Sequence, residues 1–230
     1  MQIAIDGPSG AGKSSVAKSI SDALDILHLD TGAMYRTLGY KAMQMGIDTL
    51  DEKASSELVE NVDMDVLYKD GTQHMILDGK DITEYIREPQ VSTNASNISK
   101  HKRVREKMVE MQREIAKKTD VVVDGRDIGT YVLPDADFKF YITASTQERA
   151  KRRHMQLLEK GVEKSIDELE KEMSARDYQD MNREFAPLKA ADDAMIIDTT
   201  EISMIEVVEM VLAKIKKQGK QPPIYYIATF

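Results

Sequence analysis

The chain contains no cysteine and only four histidines among its 230 residues. Without thiols it can form no disulfide, bind no cysteine-ligated zinc and use no thiol nucleophile. The histidines, which are His28, His74, His101 and His154, show none of the paired spacings typical of metal ligands. The composition therefore excludes metal sites built from cysteine and histidine.

Long apolar runs and an excess of positive charge are also missing. The first residues lack a basic segment followed by an apolar stretch, and no run reaches the ~18 apolar residues of a membrane-spanning helix. The 32 Lys and Arg are outnumbered by 40 Asp and Glu, giving a net charge of −8, whereas general nucleic-acid binders are usually basic. We expect a cytoplasmic globular protein with neither nucleic acid nor membrane as a partner. Its length suits one domain, with or without insertions.

Short apolar runs alternate with amphipathic segments along most of the chain. Strands are predicted at residues 2–6, 26–30, 121–124, 138–142 and 194–198. Apolar residues at spacings of three and four predict helices after Lys13, through Tyr35–Met45, Val104–Ile115 and Gln147–Glu159, after a capping box at Ser165, and after Asp198. This alternation predicts an α/β fold with a parallel sheet. Between residues 63 and 83, Asp-Gly turns predict a small antiparallel insertion.

The strongest motif joins the first predicted strand to the first predicted helix. It fits the pattern G-x-x-x-x-G-K-[ST] and consists of Gly7, Pro8, Ser9, Gly10, Ala11, Gly12, Lys13 and Ser14. Such a loop directs backbone N–H groups at the phosphates of a nucleotide, and its lysine reaches the β and γ phosphates. Ser14 or Ser15 would place a hydroxyl near Mg²⁺. The structural alternative is a fortuitous glycine-rich turn.

Arginines beside acidic residues suggest a second phosphate site. Asp124-Gly125-Arg126-Asp127 follows an all-valine strand, so its polar groups should emerge at the carboxyl edge of the sheet, where ligands bind. Arg176, Asp180 and Arg183 share one helical face immediately before Ala186-Pro187-Leu188. Two structural alternatives remain open: Arg126 pairs with Asp127, and the helical set is an ordinary ion-pair ladder.

Four segments resemble bacterial cytidylate kinases. They are Ile5 through Ser14, Leu29-Asp30-Thr31-Gly32-Ala33-Met34-Tyr35-Arg36, Asp124-Gly125-Arg126-Asp127-Ile128-Gly129-Thr130, and Arg176-Asp177 through Arg183 with Ala186-Pro187-Leu188. The resemblance runs in order from Ile3 to about Thr200. The family often has Gly then Thr after the loop lysine, where this chain has Ser14-Ser15.

The resemblance implies transfer of the γ-phosphoryl group of ATP to CMP or dCMP, with Mg²⁺, on a P-loop NTPase-type parallel sheet flanked by helices. It implies a single kinase over residues 1–230: a core at about 1–35, 98–148 and 165–230, a monophosphate-binding insertion at about 36–97, and a short lid at about 149–164. We expect a monomer.

The resemblance also implies residue roles. Gly7 through Ser15 would bind ATP, with Ser14 serving the metal, and the catalytic residues would be Lys13, Arg126, Arg183 and the lid residue Arg153. Thr31, Tyr35 and Arg36 would line the acceptor pocket. Ser96, Arg105 and Asp127 would read the cytosine, Arg176 and Asp180 would bind the ribose side, and Arg36, Arg126 and Arg183 would bind the acceptor phosphate. Arg149 and Arg152 match lid arginines as well.

Two other functions fit the residues. One is a kinase of the same fold with a different acceptor. The other is a nucleotide-dependent switch whose basic helix, from Lys100 to Lys118, docks a partner. The apolar tail from Gln221 to Phe230 is expected to pack on the core, a flexible end being the alternative.

Overall fold

A computed structural model describes residues 1–159 and 161–217. The described residues form two compact units, one from Met1–Leu27 together with residues 120–159 and 161–217, and one from His28–Thr119. The expectation for the tail lies outside the described residues. The domain boundaries given above stay predictions.

The first unit alternates strands with helices. Its elements are β1 (Gln2–Asp6), α1 (Lys13–Leu24), the first residue of β2 (Leu27–Asp30), β6 (Val121–Asp124), a π-helical turn (Ile128–Val132), β7 (Phe138–Thr143), α6 (Thr146–Leu158), α7 (Ile166–Asn182), β8 (Met195–Asp198) and α8 (Met204–Lys217). The boundary between the units falls inside β2, after Leu27.

The sheet has the strand order β2-β6-β1-β7-β8. Strand β1 pairs in parallel with β6, where Ile5 lies opposite Asp124, and with β7, where Asp6 lies opposite Tyr141. β7 pairs in parallel with β8. The valines of β6 are fully buried, as expected for a strand covered on both faces. The predicted α/β class with a parallel sheet is confirmed, and the loops after β1 and β6 leave the same edge.

Apolar residues from α1, α8 and the sheet form the main core of this unit. It includes Ile3, Ile5, Val16, Ile20, Val122, Phe140, Ile142, Ile197, Val207, Val211 and Ile215. A smaller cluster joins α6 to α7 through Ala150, Leu157, Leu169 and Met173. The predicted capping box begins α7: Ser165 accepts from the backbone N–H of Glu168, whose side chain accepts from Ser165 in return. These two clusters hold α1 and α7, two of the helices that carry candidate residues.

The second unit consists of α2 (Thr31–Met45), α3 (Glu52–Asn61), β3 (Met64–Lys69), β4 (Thr72–Leu77), β5 (Lys80–Asp81), a 3-10 turn (Tyr85–Arg87), α4 (Pro89–Ile98) and α5 (Lys102–Ala116). Its strands form an antiparallel sheet in the order β3-β4-β5. The predicted Asp-Gly turns are confirmed: Asp70 and Gly71 have φ of 52° and 69°, the left-handed values that a tight hairpin requires.

Two helices of this unit were not predicted from the sequence. Both α3 and α4 are short and bury only three side chains each, and α4 is rich in Ser, Thr and Asn, so each presents only a short apolar stripe. Tertiary packing stabilises α4: a Cβ added to Gly39 in α2 would lie 2.8 Å from the backbone nitrogen of Ala95. The prediction of α2 is confirmed, but Met45 at its end is 57% exposed and does not join the core.

Candidate active site

The glycine-rich loop lies between β1 and α1, as predicted. Gly7, Gly10 and Gly12 all have positive φ, at 142°, 77° and 91°, a conformation that side chains rarely adopt. A Cβ at Gly7 would lie only 1.9 Å from the carbonyl oxygen of Ile142, so this position admits glycine alone. Gly12 occupies the N-cap of α1 without a side chain to cap the helix. The first amides of α1 are thus available to an anion.

Lys13 begins α1 and is 5% exposed. Its Nζ donates to the carbonyl oxygen of Pro8 at 2.7 Å, so the side chain folds back over the loop. Burial lowers the pKa of Lys13 to about 7 and nearby Arg126 adds to this effect, while Asp124 and Asp6 oppose it. A polyphosphate bound in the loop would stabilise the charged form of this amine.

Ser14 contacts the carboxylate at the end of β6. Its hydroxyl donates to Oδ2 of Asp124 at 2.8 Å, and Asp124 is itself buried. Ser15 is exposed on the next position of the helix. The sequence did not decide whether Ser14 or Ser15 serves the metal. In the structure, it is the Ser14 hydroxyl that is hydrogen-bonded to Asp124.

The segment after β6 and the end of α7 lie together. Nε of Arg126 donates to Oδ2 of Asp180 at 3.1 Å, and Arg183 donates to Oδ1 of Asp127 at 3.0 Å. Thus Arg126 pairs across the fold and not with its neighbour in sequence. Burial raises the pKa of Asp180, but Arg126, Arg176 and Arg183 outweigh it and hold the pKa below its usual range.

The chain turns back directly after α7. Arg183 follows the last helical residue, and its Nε donates to the carbonyl oxygen of Ala186 at 2.6 Å. The backbone N–H of Leu188 donates to the carbonyl of Asp180 at 2.8 Å. These bonds fold the residues after α7 back onto the end of the helix. Asp180 and Arg183 therefore hold this turn in place, in addition to taking part in ion pairs along the helix.

The three arginines of α6 lie in different surroundings. Arg149 is buried and donates to the carbonyls of Ala144 at 2.9 Å and Ser9 at 3.0 Å, and to Asp177 at 2.7 Å. It therefore braces the glycine-rich loop, a role that its position in the predicted lid did not suggest. Arg152 donates to Thr199, whose hydroxyl donates to the carbonyl of Ala11 at 3.3 Å. Arg153 is partly exposed and donates to Gln156 at 3.4 Å.

In the second unit, Asp30 organises the start of α2. Its carboxylate accepts from the backbone N–H of Ala33 at 3.0 Å and from Arg36 at 2.8 Å, and Thr31 beside it is buried. Burial raises the pKa of Asp30, but Arg36, His28 and the hydrogen bond from the Ala33 amide together outweigh this effect, so the pKa is lowered overall. Gln73 in β4 bonds both the N–H and the carbonyl of Asp30, at 2.8 and 3.2 Å.

Arg105 is a buried cation of the second unit. It lies on α5, 2% exposed, with its guanidinium 5.8 Å from the centre of the Tyr35 ring and a bond to the carbonyl of Ser99 at 3.4 Å. Ser96 lies on α4 and is half-buried. The predicted substrate residues thus divide: Thr31, Tyr35, Arg36, Ser96 and Arg105 belong to the second unit, and Arg126, Asp127, Arg176, Asp180 and Arg183 to the first.

Two structural roles were not foreseen from the sequence, those of Gln73 and Arg149. Neither lies in a recognisable pattern with its partners, since Gln73 is 43 positions from Asp30 and Arg149 is 140 from Ser9. In the described residues, no group of three or more His, Asp or Glu side chains could hold a metal ion. No helix among them is long and apolar enough to cross a membrane.

A glycine loop between a parallel strand and a helix, with a buried lysine at the helix start, defines a P-loop phosphate-binding protein of the α/β class. The sequence matches the family model for cytidylate kinase over residues 3–217. The chain therefore belongs to the cytidylate kinase family.

Individual relatives agree with the family match. Cytidylate kinases of Caldicellulosiruptor bescii and Bacillus cereus are 48% and 47% identical to the chain over 212 and 213 residues. These alignments cover 92% and 93% of this chain and 94% and 95% of the relatives. A shikimate kinase structure from Acinetobacter baumannii aligns over 96% of this chain and 95% of its own, but with a TM-score of 0.48 at 13% identity it is too distant to bear on function.

Proposed function

We propose that the protein transfers the γ-phosphoryl group of ATP to CMP or dCMP, giving ADP and CDP or dCDP. The observation that carries this proposal is that the unit holding the P-loop also holds arginines bound to carboxylates, Arg126 on Asp180 and Arg183 on Asp127. A simple nucleotide-binding protein needs the loop alone. A second set of arginines suits an acceptor phosphate.

On the donor side, the loop from Gly7 to Ser15 binds ATP. Lys13 neutralises the β and γ phosphates as charge moves from the transferring group to the leaving ADP. The Ser14 hydroxyl and the Asp124 carboxylate are 2.8 Å apart and are the hard oxygen donors that Mg²⁺ takes, so they fit this ion. When bound, Mg²⁺ would supply further neutralisation of the phosphate oxygens.

On the acceptor side, we assign the phosphate of CMP to Arg36, Arg126 and Arg183, and the ribose side to Arg176 and Asp180. Thr31 and Tyr35 complete the acceptor residues. The three arginines assigned to the phosphate already bind carboxylates, which limits the side-chain freedom that they lose when the phosphate binds. Phosphoryl transfer needs positioning and charge neutralisation and no covalent intermediate, so we assign the catalytic roles to Lys13, Arg126, Arg183 and Arg153.

The base is assigned to Asp127, Arg105 and Ser96. An ionised carboxylate only accepts hydrogen bonds, so Asp127 suits the exocyclic amino group of cytosine. The guanidinium of Arg105 only donates and suits the ring nitrogen and carbonyl of cytosine, and the Ser96 hydroxyl adapts to either. Uracil presents a carbonyl and a ring N–H at these positions, and both would be mismatched.

The test is a coupled assay of ADP formation with ATP alone and with CMP, dCMP, UMP, AMP or GMP. We expect strong turnover with CMP and dCMP and little without an acceptor, because a kinase must hold water away from the γ phosphate. Preference for another acceptor would favour a different kinase of this fold. Acceptor-independent ATP hydrolysis would favour a nucleotide-dependent switch.

The helix that such a switch would use for docking is α5. Its basic side chains pair with acidic ones: Arg103 with Glu60, and Lys107 with Glu110 at 3.1 Å. A solvated surface of this kind favours the kinase. A monomeric state and a cytoplasmic location stay predictions.

A further inference from the structure

Asp6 is a buried carboxylate that the proposed chemistry leaves unused. It is the last residue of β1 and is 3% exposed. Its Oδ1 accepts the backbone N–H of Ile128 and its Oδ2 accepts that of Gly129, each at 2.7 Å. One side chain therefore binds two consecutive amides at the start of the turn that follows Asp127.

These two amides begin the π-helical turn Ile128–Val132. Amides in the first positions of a helical turn have no acceptor within the turn, and the residue at the N-cap normally supplies one. Here that residue is Asp127, a good capping residue by type, yet its side chain makes no capping bond. Its carboxylate accepts from Arg183 instead. Asp6, from a strand 122 positions away, performs the capping.

The titratable groups around Asp6 are Lys13 from α1, Asp127 at the N-cap of the turn and the neutral Tyr141 from β7. Burial raises the pKa of Asp6 to about 7, and Asp127 adds to this effect, whereas the two amide bonds and Lys13 oppose it. A buried carboxylate in this position is unfavourable unless its hydrogen bonds are made. The two amides are the partners that make it tolerable.

We propose that Asp6 is a positioning residue that caps the turn after Asp127 in place of Asp127 itself, leaving the Asp127 carboxylate to face the acceptor nucleotide. This inference rests on the proposed role of Asp127 in reading cytosine. Without Asp6, the vacated amides attract the carboxylate of the N-cap residue Asp127, because aspartate readily accepts from the amides that follow it in sequence. Its carboxylate then turns away from Arg183 and from the base.

The test is Asp6→Asn, which keeps the size of the side chain. Its amide group can accept from one N–H but opposes the other with its own NH₂. One buried amide is then left without an acceptor and draws the Asp127 carboxylate away from the base. We therefore expect the KM for CMP to rise about tenfold or more, and the CMP-over-UMP preference in kcat/KM to fall about tenfold. The KM for ATP should change much less than that for CMP, because Lys13 keeps its hydrogen bond to Pro8 and loses only the nearby charge of Asp6.

A double variant separates positioning from a general structural role. In the Asp127→Asn background, Asp6→Asn should lower the CMP-over-UMP preference no further, since the two residues act through one contact. The matched control is Asp137→Asn. Asp137 accepts the N–H of Gln2, at the opposite end of β1, also at 2.7 Å, and its loss should leave both KM values unchanged.

Three results would overturn the inference. They are an unchanged CMP-over-UMP preference in folded Asp6→Asn, an equal fall in activity with CMP and UMP, and a raised KM for ATP with that for CMP unaltered. If Asp6→Asn does not fold, Asp6→Ser, whose hydroxyl accepts from one amide, is measured in the same way. If that variant does not fold either, Asp6 serves the fold alone and the inference fails. A wild-type protein inactive on CMP would instead contradict the proposed function.

Discussion

Breaking the ion pair between Arg149 and Asp177 should strongly destabilise the first unit. The two side chains are 4% and 10% exposed and 2.7 Å apart, and Arg149 makes further bonds to Ala144, Thr146 and Ser9. Removing one partner of a buried pair leaves the other as an unpaired charge and costs about 3–5 kcal/mol of folding free energy.

The structure sets different magnitudes for the two partners. In Asp177→Ala, Arg149 keeps its bonds to Ala144, Thr146 and Ser9, and the lost carboxylate was itself only half satisfied, since its Oδ1 has no hydrogen-bond partner among the described residues. We expect a loss of about 3 kcal/mol, near the lower limit. Arg149→Met leaves Asp177 and the oxygen atoms of the other three bonds without their donor. We therefore expect this variant to lose about 5 kcal/mol of folding free energy.

The assay is urea unfolding together with thermal melting. For a chain of this size, each kcal/mol shifts Tm by about 2–4 °C, so Asp177→Ala should melt about 6–12 °C lower and Arg149→Met about 10–20 °C lower. The combined variant Arg149→Met/Asp177→Leu should recover part of the loss because no buried charge remains unpaired. Arg149→Met should also raise the KM for ATP, since Arg149 supports the carbonyl of Ser9.

The matched control is Glu57→Ala. Glu57 pairs with Lys53 at 3.9 Å on α3, but the side chains are 68% and 88% exposed, and such pairs contribute little. We expect no measurable change in Tm. A Tm for Asp177→Ala within 2 °C of wild type, as for the control, would refute the view that this pair stabilises the fold.

Three further predictions concern the proposed kinase. Lys13→Ala should lower kcat about 10²-fold or more by removing charge stabilisation of the phosphates, and near-normal turnover in a folded variant would argue against the P-loop assignment. Asp127→Asn should shrink the CMP-over-UMP preference in kcat/KM, since an amide can turn its NH₂ towards uracil, and an unchanged ratio would mean that Asp127 does not read the base. Gln73→Ala should raise the KM for CMP several-fold and leave the KM for ATP constant. Gln73 holds the backbone of Asp30, whose carboxylate in turn holds Arg36. A KM for CMP equal to that of the wild type would exclude this role.

The sequence predicts those features whose physical causes are local. Strand β1, the loop and α1 follow from an apolar run, closely spaced glycines and a helical apolar stripe. The Asp-Gly hairpin turns follow because these residues adopt positive φ at low cost. Helices α3 and α4 are not predicted because their apolar stripes are short. Tertiary packing stabilises these helices more than the sequence pattern indicates.

The candidate site divides in the same way. The P-loop and the Asp124-Gly125-Arg126-Asp127 segment could be found from residue type and spacing alone, since their functional groups come from consecutive residues. The ion-pair partner of each charged side chain could not be predicted from the sequence. Arg126 bonds Asp180 across 54 positions, although Asp127 stands beside it in sequence.

The sequence by itself determined the class of fold and the phosphate-binding loop, because both depend on interactions between residues a few positions apart. Only the tertiary structure decided that Arg149 braces the loop and that Asp6 caps the turn after Asp127. Both roles need buried charges to find their hydrogen-bond partners, across 140 and 122 positions. In a buried, low-dielectric setting an unsatisfied charge is costly, so the packing of the sheet and helices selects partners that no local pattern specifies.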